Sequence, residues 1–328
     1  MTGGAGFVGS HVVDLLLAHD HDVVVLDHRP LPWWRDDVAA HVGDVRDPDA
    51  WLAAARGADA VCHQAARVGL GVDPSDVRDY VAANDEGTAV GLWALHRLGF
   101  DGRLVLASSM VVYGEGRYRC PSHGEVRPGA RRADDLAVGR YDPPCPSCDA
   151  PLDWLPIDED APTRPRSTYA ATKLHQEHLC AVWGREVGVP VTALRYHNVF
   201  GPRCPRDTLY AGVASLFESA VARGERPRVF EDGEQMRDFV HVADVARANV
   251  LALEADDPYD GPLNVASGTP RRILDVAHAI AARSGLDPEV VGGCRAGDVR
   301  HVVASPERAA AALGFRAVEP FRAGCRPF

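Results

Sequence analysis

No stretch of this 328-residue chain approaches the ~20 consecutive apolar residues that a membrane crossing needs, and no leader pattern opens it. A basic block is missing as well: 35 Lys and Arg stand against 46 Asp and Glu, for a formal charge of −11 at pH 7. That balance argues against a nucleic-acid partner, although a few arginines in a cleft would still suit an anionic small molecule. The eight cysteines are too scattered for a disulfide framework and fit thiols or metal ligands of a cytoplasmic protein. Internal repeats and low-complexity tracts are absent. What remains is 46% hydrophobic and 25% charged, ordinary globular material in a chain longer than one core usually serves. One large domain with a smaller lobe is expected.

Apolar runs at 22–27, 58–63, 103–108 and 190–195 are rich in Val, Leu or Ala and bounded by Gly, Asp or Pro, as buried parallel strands are. Helical patterns at 10–19, 78–98 and 168–186 separate them. Strand alternating with helix predicts a doubly wound α/β sheet. One element is lacking, because a glycine turn arrives at Gly3 without the strand that should feed it. The neighbours of a central strand would lose their ladder partners, so the expectation is a gene start read one strand late, with a GTG valine codon taken as Met1. Segment 116–150, rich in Pro, Arg, Asp and Cys, reads as an insertion.

Gly3, Gly6 and Gly9 form G-x-x-G-x-x-G ahead of an amphipathic helix. Such glycines allow a tight turn, backbone approach to a pyrophosphate and close helix packing, and the helix N-terminus offers unpaired N–H groups. Asp27 follows 18 residues after Gly9, at the end of Val23-Val24-Val25-Leu26. A carboxylate there accepts from ribose hydroxyls and repels a 2′-phosphate, which points to NAD rather than NADP.

Tyr169-Ala170-Ala171-Thr172-Lys173 places a phenol and an ammonium one turn apart on one helix face. The cation is expected to lower the tyrosine pKa from ~10 toward working pH and make Tyr169 a general base. Ser109 lies just past the strand at 103–108, where catalytic groups of parallel sheets gather. Cys120-Pro121-Ser122-His123 and Cys145-Pro146-Ser147-Cys148 are two similar knuckles with 21 residues between them. Their four ligands suit a structural Zn²⁺, with no open position for a substrate. Cys62, Cys180, Cys204, Cys294 and Cys325 show no such pairing and are expected to be plain thiols.

The ordered set TGGAGFVGSH, Asp27, Gly43-Asp44, HQAA at 63–66, Asn84-x-x-Gly87-Thr88, SSMVVYG, YAATK, RYHNVFGPR and RDFVHVADV resembles the NAD-dependent epimerase/dehydratase family, the extended short-chain dehydrogenases, from the first residues to about Phe315. The resemblance implies a Rossmann-type doubly wound sheet with a smaller C-terminal substrate-binding lobe and, here, a Cys/His insert. It divides the chain into an NAD-binding domain (1–196 with about 238–265), an insert (about 116–150) and a sugar-nucleotide lobe (197–237 with 266–328). It also implies that Phe7, Val8, Asp44, Val45, Ala65, Ala66 and Asn84 line the cofactor, and that Lys173 also holds the nicotinamide ribose. Asn198 would contact the sugar nucleotide, and Arg237 and Arg300 its pyrophosphate, a role suited to guanidinium forks. A homodimer through the helices at 78–98 and 168–186 is implied too.

Members of this family begin by oxidising a sugar hydroxyl through the tyrosine. A 4,6-dehydratase needs a further acid/base pair beside the serine, whereas this chain has Ser109-Met110-Val111. A decarboxylase would place Glu after the serine. Epimerisation at C4 needs nothing more, so a nucleotide-sugar 4-epimerase is the expected activity. Runs at 67–73 and 113–121 are similar to actinobacterial sequences grouped as dTDP-L-rhamnose 4-epimerases. The alternatives are a reductase using free NADH and an idle NAD-binding sensor; the survival of Ser109, Tyr169 and Lys173 favours an enzyme.

Overall fold

A computed structural model of the chain describes residues 1–29, 38–69, 73–206, 212–282, 284–294 and 298–321. In chain order the strands of its first half are β1 (Val24–Asp27), β2 (Ala39–Val42), β3 (Ala60–His63), β4 (Arg103–Ser109), β5 (Arg117–Cys120), β6 (Gly124–Val126) and β7 (Asp153–Leu155). Then come β8 (Val191–Tyr196), β9 (Asn198–Phe200), β10 (Arg228–Phe230), β11 (Met236–His241), β12 (Gly261–Val265), β13 (Pro270–Arg272) and β14 (Glu289–Gly292). The helices are α1 (Phe7–Ala18), α2 (Pro48–Ala54), α3 (Val77–Tyr80), α4 (Gly87–Leu98), α5 (Ala133–Ala137), α6 (Thr168–Val187), α7 (Val213–Ala222), α8 (Val242–Glu254), α9 (Ile273–Ala281) and α10 (Glu307–Leu313).

The main sheet is parallel, in the order β12-β8-β4-β3, with β1-β2 continuing it on the far side of residues 1–3. Successive residues of β4 serve opposite faces, as a strand buried on both sides must. Leu104 and Leu106 pack with Trp51, Leu92, Leu95 and Cys180 beneath α2, α4 and α6. Val105 and Ala107 pack with Val245, Ala248 and Phe315 beneath α8 and α10. Helices on both faces make the sheet doubly wound, as the alternation of runs predicts.

Residues 1–3 occupy the place between β1 and β3 where a strand is expected. Met1 donates its N-terminal ammonium to the Val24 carbonyl (2.7 Å) and accepts from the Leu26 amide (2.8 Å). On the other side Thr2 donates to the Cys62 carbonyl (3.0 Å) and accepts from the Gln64 amide (3.2 Å). Three residues thus join β1 to β3.

The expected helix at 78–98 is α3 and α4 joined through a π-helical turn at Val81–Glu86. The polar insert is built on an antiparallel sheet, β6-β5-β7, whose third strand lies beyond the expected boundary at 150. Beyond β8 the smaller sheets β13-β11-β9 and β10-β14 enclose Phe200, Phe217, Val229, Phe239 and Val276 with α7 and α9. No helix among the described residues is long and apolar enough to cross a membrane. The seven described cysteines are free; Cys325 lies outside the described residues.

Candidate active site and metal cluster

The glycine turn is held where side chains would not fit. Gly3 has φ +66, and a Cβ there would lie 2.6 Å from the Ala65 nitrogen; at Gly9 it would lie 2.0 Å from the Gly3 oxygen. Helix α1 starts at Phe7, after Gly6, with no side-chain cap and no acidic residue in its first turn. Its first amides are therefore left for an anion. Val8 turns into the core below. Asp27, buried at the end of β1, accepts from the Ala5 amide (2.9 Å) and the Arg29 amide (3.1 Å) and so ties the turn to the strand. Free amides beside a strand-end carboxylate fit the phosphates and ribose of a dinucleotide.

The next cofactor candidates lie around this turn. Asp44 pairs with Arg46 (2.6 Å), which holds its carboxyl down to about 2. The Val45 carbonyl accepts from the Trp51 indole (2.8 Å). Ala65, followed by Ala66, donates its amide to the Thr2 hydroxyl (3.2 Å). Asn84 is fully buried, and its amide is committed to protein: it accepts from the Arg67 amide (2.7 Å) and donates to the Arg67 carbonyl (3.0 Å) and the Thr172 hydroxyl (2.9 Å). It shapes the loop carrying Ala65 and Ala66 from behind.

The structure brings Ser109, Tyr169 and Lys173 together. Ser109 ends β4 and accepts from the Val111 amide (3.4 Å). Tyr169 lies in the first turn of α6, whose cap Ser167 accepts from the Ala170 amide (3.2 Å). Burial pushes the Tyr169 phenol up to about 12, and its hydrogen bond with Ser109 works against that rise. Lys173, the chain's single lysine, is buried one turn along and donates to the Ala107 carbonyl (2.7 Å). Burial pushes it down to about 8. The expected lowering of the phenol by the ammonium is therefore not found: burial dominates at both groups, raising the phenol and lowering the ammonium.

Sequence reasoning missed the charged layer underneath. Arg195 donates to Glu177 through Nε (2.9 Å) and Nη2 (2.7 Å), and through Nη1 to the Tyr113 hydroxyl (3.0 Å). Glu177 also accepts from Ser108, which connects the residue beside Ser109 to α6. The available signal was spacing: Glu177 follows Lys173 by four residues on α6, and Arg195 opens the RYHN motif.

On the other side, Asn198 donates to the Asp238 carbonyl (3.0 Å) and to the Met110 sulfur (3.5 Å), next to Ser109. Of the two arginines read as pyrophosphate ligands, Arg300 is engaged elsewhere and Arg237 in part. Arg237 donates to the carbonyls of Met236 (2.9 Å), Arg300 (2.8 Å) and Val299 (2.6 Å). Arg300 is buried, with Nε on Asp142 (2.7 Å), Nη1 on Glu231 (2.9 Å) and Asp232 (2.7 Å), and Nη2 on Asp232 (2.9 Å). Four of its N–H groups are thus spent on carboxylates. Arg295, five residues before Arg300, lies outside the described residues.

Cys120, His123, Cys145 and Cys148 converge, their ligand atoms all within 4.8 Å of one another. Cys120 Sγ is 3.4 Å from His123 Nδ1 and 3.7 Å from Cys148 Sγ, and Cys145 Sγ is 3.6 Å from His123 Nδ1. Tetrahedral zinc, with bonds of about 2.3 Å to sulfur and about 2.05 Å to nitrogen, separates its ligands by about 3.8 Å (S···S) and about 3.5 Å (S···N). The three separations just given lie close to those of that tetrahedron. Each knuckle turns on a left-handed residue directly after its second ligand, Gly124 (φ +68) in one and Asp149 (φ +60) in the other.

Residues 1–132 and 147–266 match the NAD dependent epimerase/dehydratase family. A dTDP-L-rhamnose 4-epimerase of Burkholderia thailandensis is 32% identical, over 96% of this chain and 89% of its own length. A UDP-glucose 4-epimerase of Corynebacterium glutamicum is 29% identical over the same shares, 96% and 89%. Among solved structures, a UDP-glucose 4-epimerase of Thermus thermophilus in complex with NAD is similar with a TM-score of 0.77, at 31% identity over 98% of this chain and 94% of that one. A UDP-glucose 4-epimerase of Thermotoga maritima with UDP-glucose reaches a TM-score of 0.79 at 26% identity, over 96% and 92%.

Proposed function

The chain belongs to the NAD dependent epimerase/dehydratase family, and from that premise we propose that it is a cytoplasmic NAD-dependent nucleotide-sugar 4-epimerase. The observation that carries the reading is the meeting of Ser109, Tyr169 and Lys173 at the end of β4, beside a turn that carries Met110 and Val111. Tyr169 takes the proton of the sugar C4 hydroxyl and later returns it, while Ser109 holds the same oxygen. When bound, NAD⁺ supplies the hydride acceptor and donor and a positive charge that favours ionised Tyr169. Lys173 stands over the Ala107 carbonyl, where its ammonium can hold a ribose hydroxyl. Methionine and valine offer no second acid or base, so elimination of water has no proton carrier. Inversion needs only a pocket in which the oxidised sugar can turn its other face.

Gly3, Gly6, Phe7, Val8, Gly9 and Asp27 are proposed to cradle NAD, with Asp44, Val45, Ala65 and Ala66 around the adenine and ribose, and Asn84 supporting their loop. The smaller sheets around β9 and β11 are proposed to take the nucleotide sugar, with Asn198 and Arg237 facing the diphosphate. dTDP-L-rhamnose, interconverted with dTDP-6-deoxy-L-talose, is the proposed substrate, supported by the 32% identical relative. The four-ligand cluster is proposed to hold one structural Zn²⁺, and the donor distances support it. A homodimer is proposed through α3–α4 and α6, which expose Val77, Val81, Trp93 and Val182.

Incubating the enzyme with dTDP- and UDP-sugars in D₂O tests the activity. Inversion at C4 with its hydrogen retained and no added cofactor is expected. Solvent deuterium at that carbon, or product formed only with added NADH, refutes it.

A further inference from the structure

The insert grips the smaller lobe through a set of charges that the family motifs alone do not explain. Arg131 and Asp142 flank helix α5 of the insert and both reach across. Arg131 donates to Glu231 (2.7 Å) and to the Asp298 carbonyl (2.8 Å). Asp142 accepts from Arg300 Nε (2.7 Å) and meets His301 Nε2 (3.1 Å). Glu231 stands between the two arginines, bonded to Arg300 on its other oxygen (2.9 Å). Arg131, Glu231 and Arg300 expose only 6%, 1% and 1% of their side chains, so each charge depends on its partners for compensation. Glu231 also holds a left-handed backbone (φ +55), which a glutamate keeps only where its surroundings fix it.

The chain of contacts continues inward. Residues 298–301 are held from the insert side by Arg131, Asp142 and the Glu115 carboxylate, which accepts from the Arg300 amide (2.8 Å). From the lobe side the same backbone is held by Arg237, through the carbonyls of Val299 and Arg300. One backbone segment therefore links the insert to Arg237, the arginine proposed above to face the diphosphate.

We propose that Arg131 and Asp142 latch the insert onto the lobe, and that this latch sets the position of 298–301 and Arg237 and hence the affinity for a nucleoside diphosphate group. Asp142 is a positioning residue, acting through Arg300. The inference rests on the nucleotide-sugar reading above. Asp142 is three residues from Cys145, so the cluster fixes the root of the segment whose side chains close on the lobe.

The test uses the full chain, with UDP and dTDP as probes in calorimetry and with amide hydrogen exchange over 298–303. Asp142→Ala is expected to weaken binding of the preferred diphosphate about tenfold and to speed exchange over 298–303. Asp142→Asn, which keeps one acceptor, is expected to do less. NAD content, zinc content and kcat at saturating sugar stay near wild type, a split that general destabilisation does not produce. Unchanged affinity and exchange in Asp142→Ala with the metal retained overturns the latch. Should Asp142→Ala fail to fold, Arg131→Gln must show the same pattern, and its absence there overturns the proposal equally. Wild-type protein that binds neither probe overturns the nucleotide-sugar reading instead. Exchange then decides whether the contact holds: faster in the variant supports it, unchanged overturns it.

Discussion

Lys173 provides a prediction in which sign and size both follow from burial. In the folded chain its amine is pushed down to about 8 from an ordinary 10.5 because burial strips the ammonium of water. Between those two pH values the unfolded chain binds more protons than the folded one, so stability rises with pH across this window. Below pH 8 the buried ammonium lowers stability by about 3 kcal/mol, and above about 10.5 the penalty is gone. Lys173→Met removes the titration at nearly constant volume. The variant without bound NAD is expected to be more stable than wild type near pH 7.5, by somewhat less than 3 kcal/mol because the bond to the Ala107 carbonyl is lost. Near pH 10.5 this advantage should vanish, as measured by urea unfolding of both proteins at each pH. Because Lys173 is the only lysine, the pH dependence of ε-amine labelling reports the same group directly. A difference between variant and wild type that stays flat with pH, or ε-amine labelling that titrates near 10.5, refutes the argument. The same substitution should lower turnover by at least about 10²-fold, which would show that the site accepts instability in exchange for chemistry.

Glu177→Gln should lower unfolding free energy by about 3 kcal/mol in urea titrations, since it leaves the buried Arg195 guanidinium without its charge partner. Asp149→Gly should stabilise the insert by about 0.5–1 kcal/mol, read from zinc release by a competing chelator, because its left-handed backbone suits glycine. Metal analysis of the purified chain should find about one zinc per chain, and Cys148→Ala should lose it and open the segment around 120–150 to proteolysis while NAD stays bound.

The strands were legible because each is an apolar run between breakers, and the runs at 58–63 and 103–108 fall on β3 and β4. The first run begins at Val24 rather than residue 22, where the Met1 ammonium first finds a carbonyl. Period counting could not show the π-helical turn at Val81–Glu86, since that turn alters backbone pairing while the apolar face stays continuous; Asn84 on it is tied to the Arg67 backbone. The two knuckles were legible from ligand spacing, but the strand Asp153–Leu155 that completes their sheet carries no such signal. Arg300 shows where a motif stops informing. Its position was evident, whereas its partners Glu231, Asp232 and Asp142 come from segments that only folding brings together. Likewise Y-x-x-x-K placed phenol and ammonium on one face, but the depth that pushes their pKa values in opposite directions is a property of the packed sheet.

The central claim is that one phenol moves the proton of a sugar hydroxyl, and Tyr169→Phe tests it most directly. With folding and NAD content unchanged, C4 interconversion of the wild-type substrate, followed by NMR, should fall by about 10²–10⁴-fold. Turnover within tenfold of wild type would contradict the account.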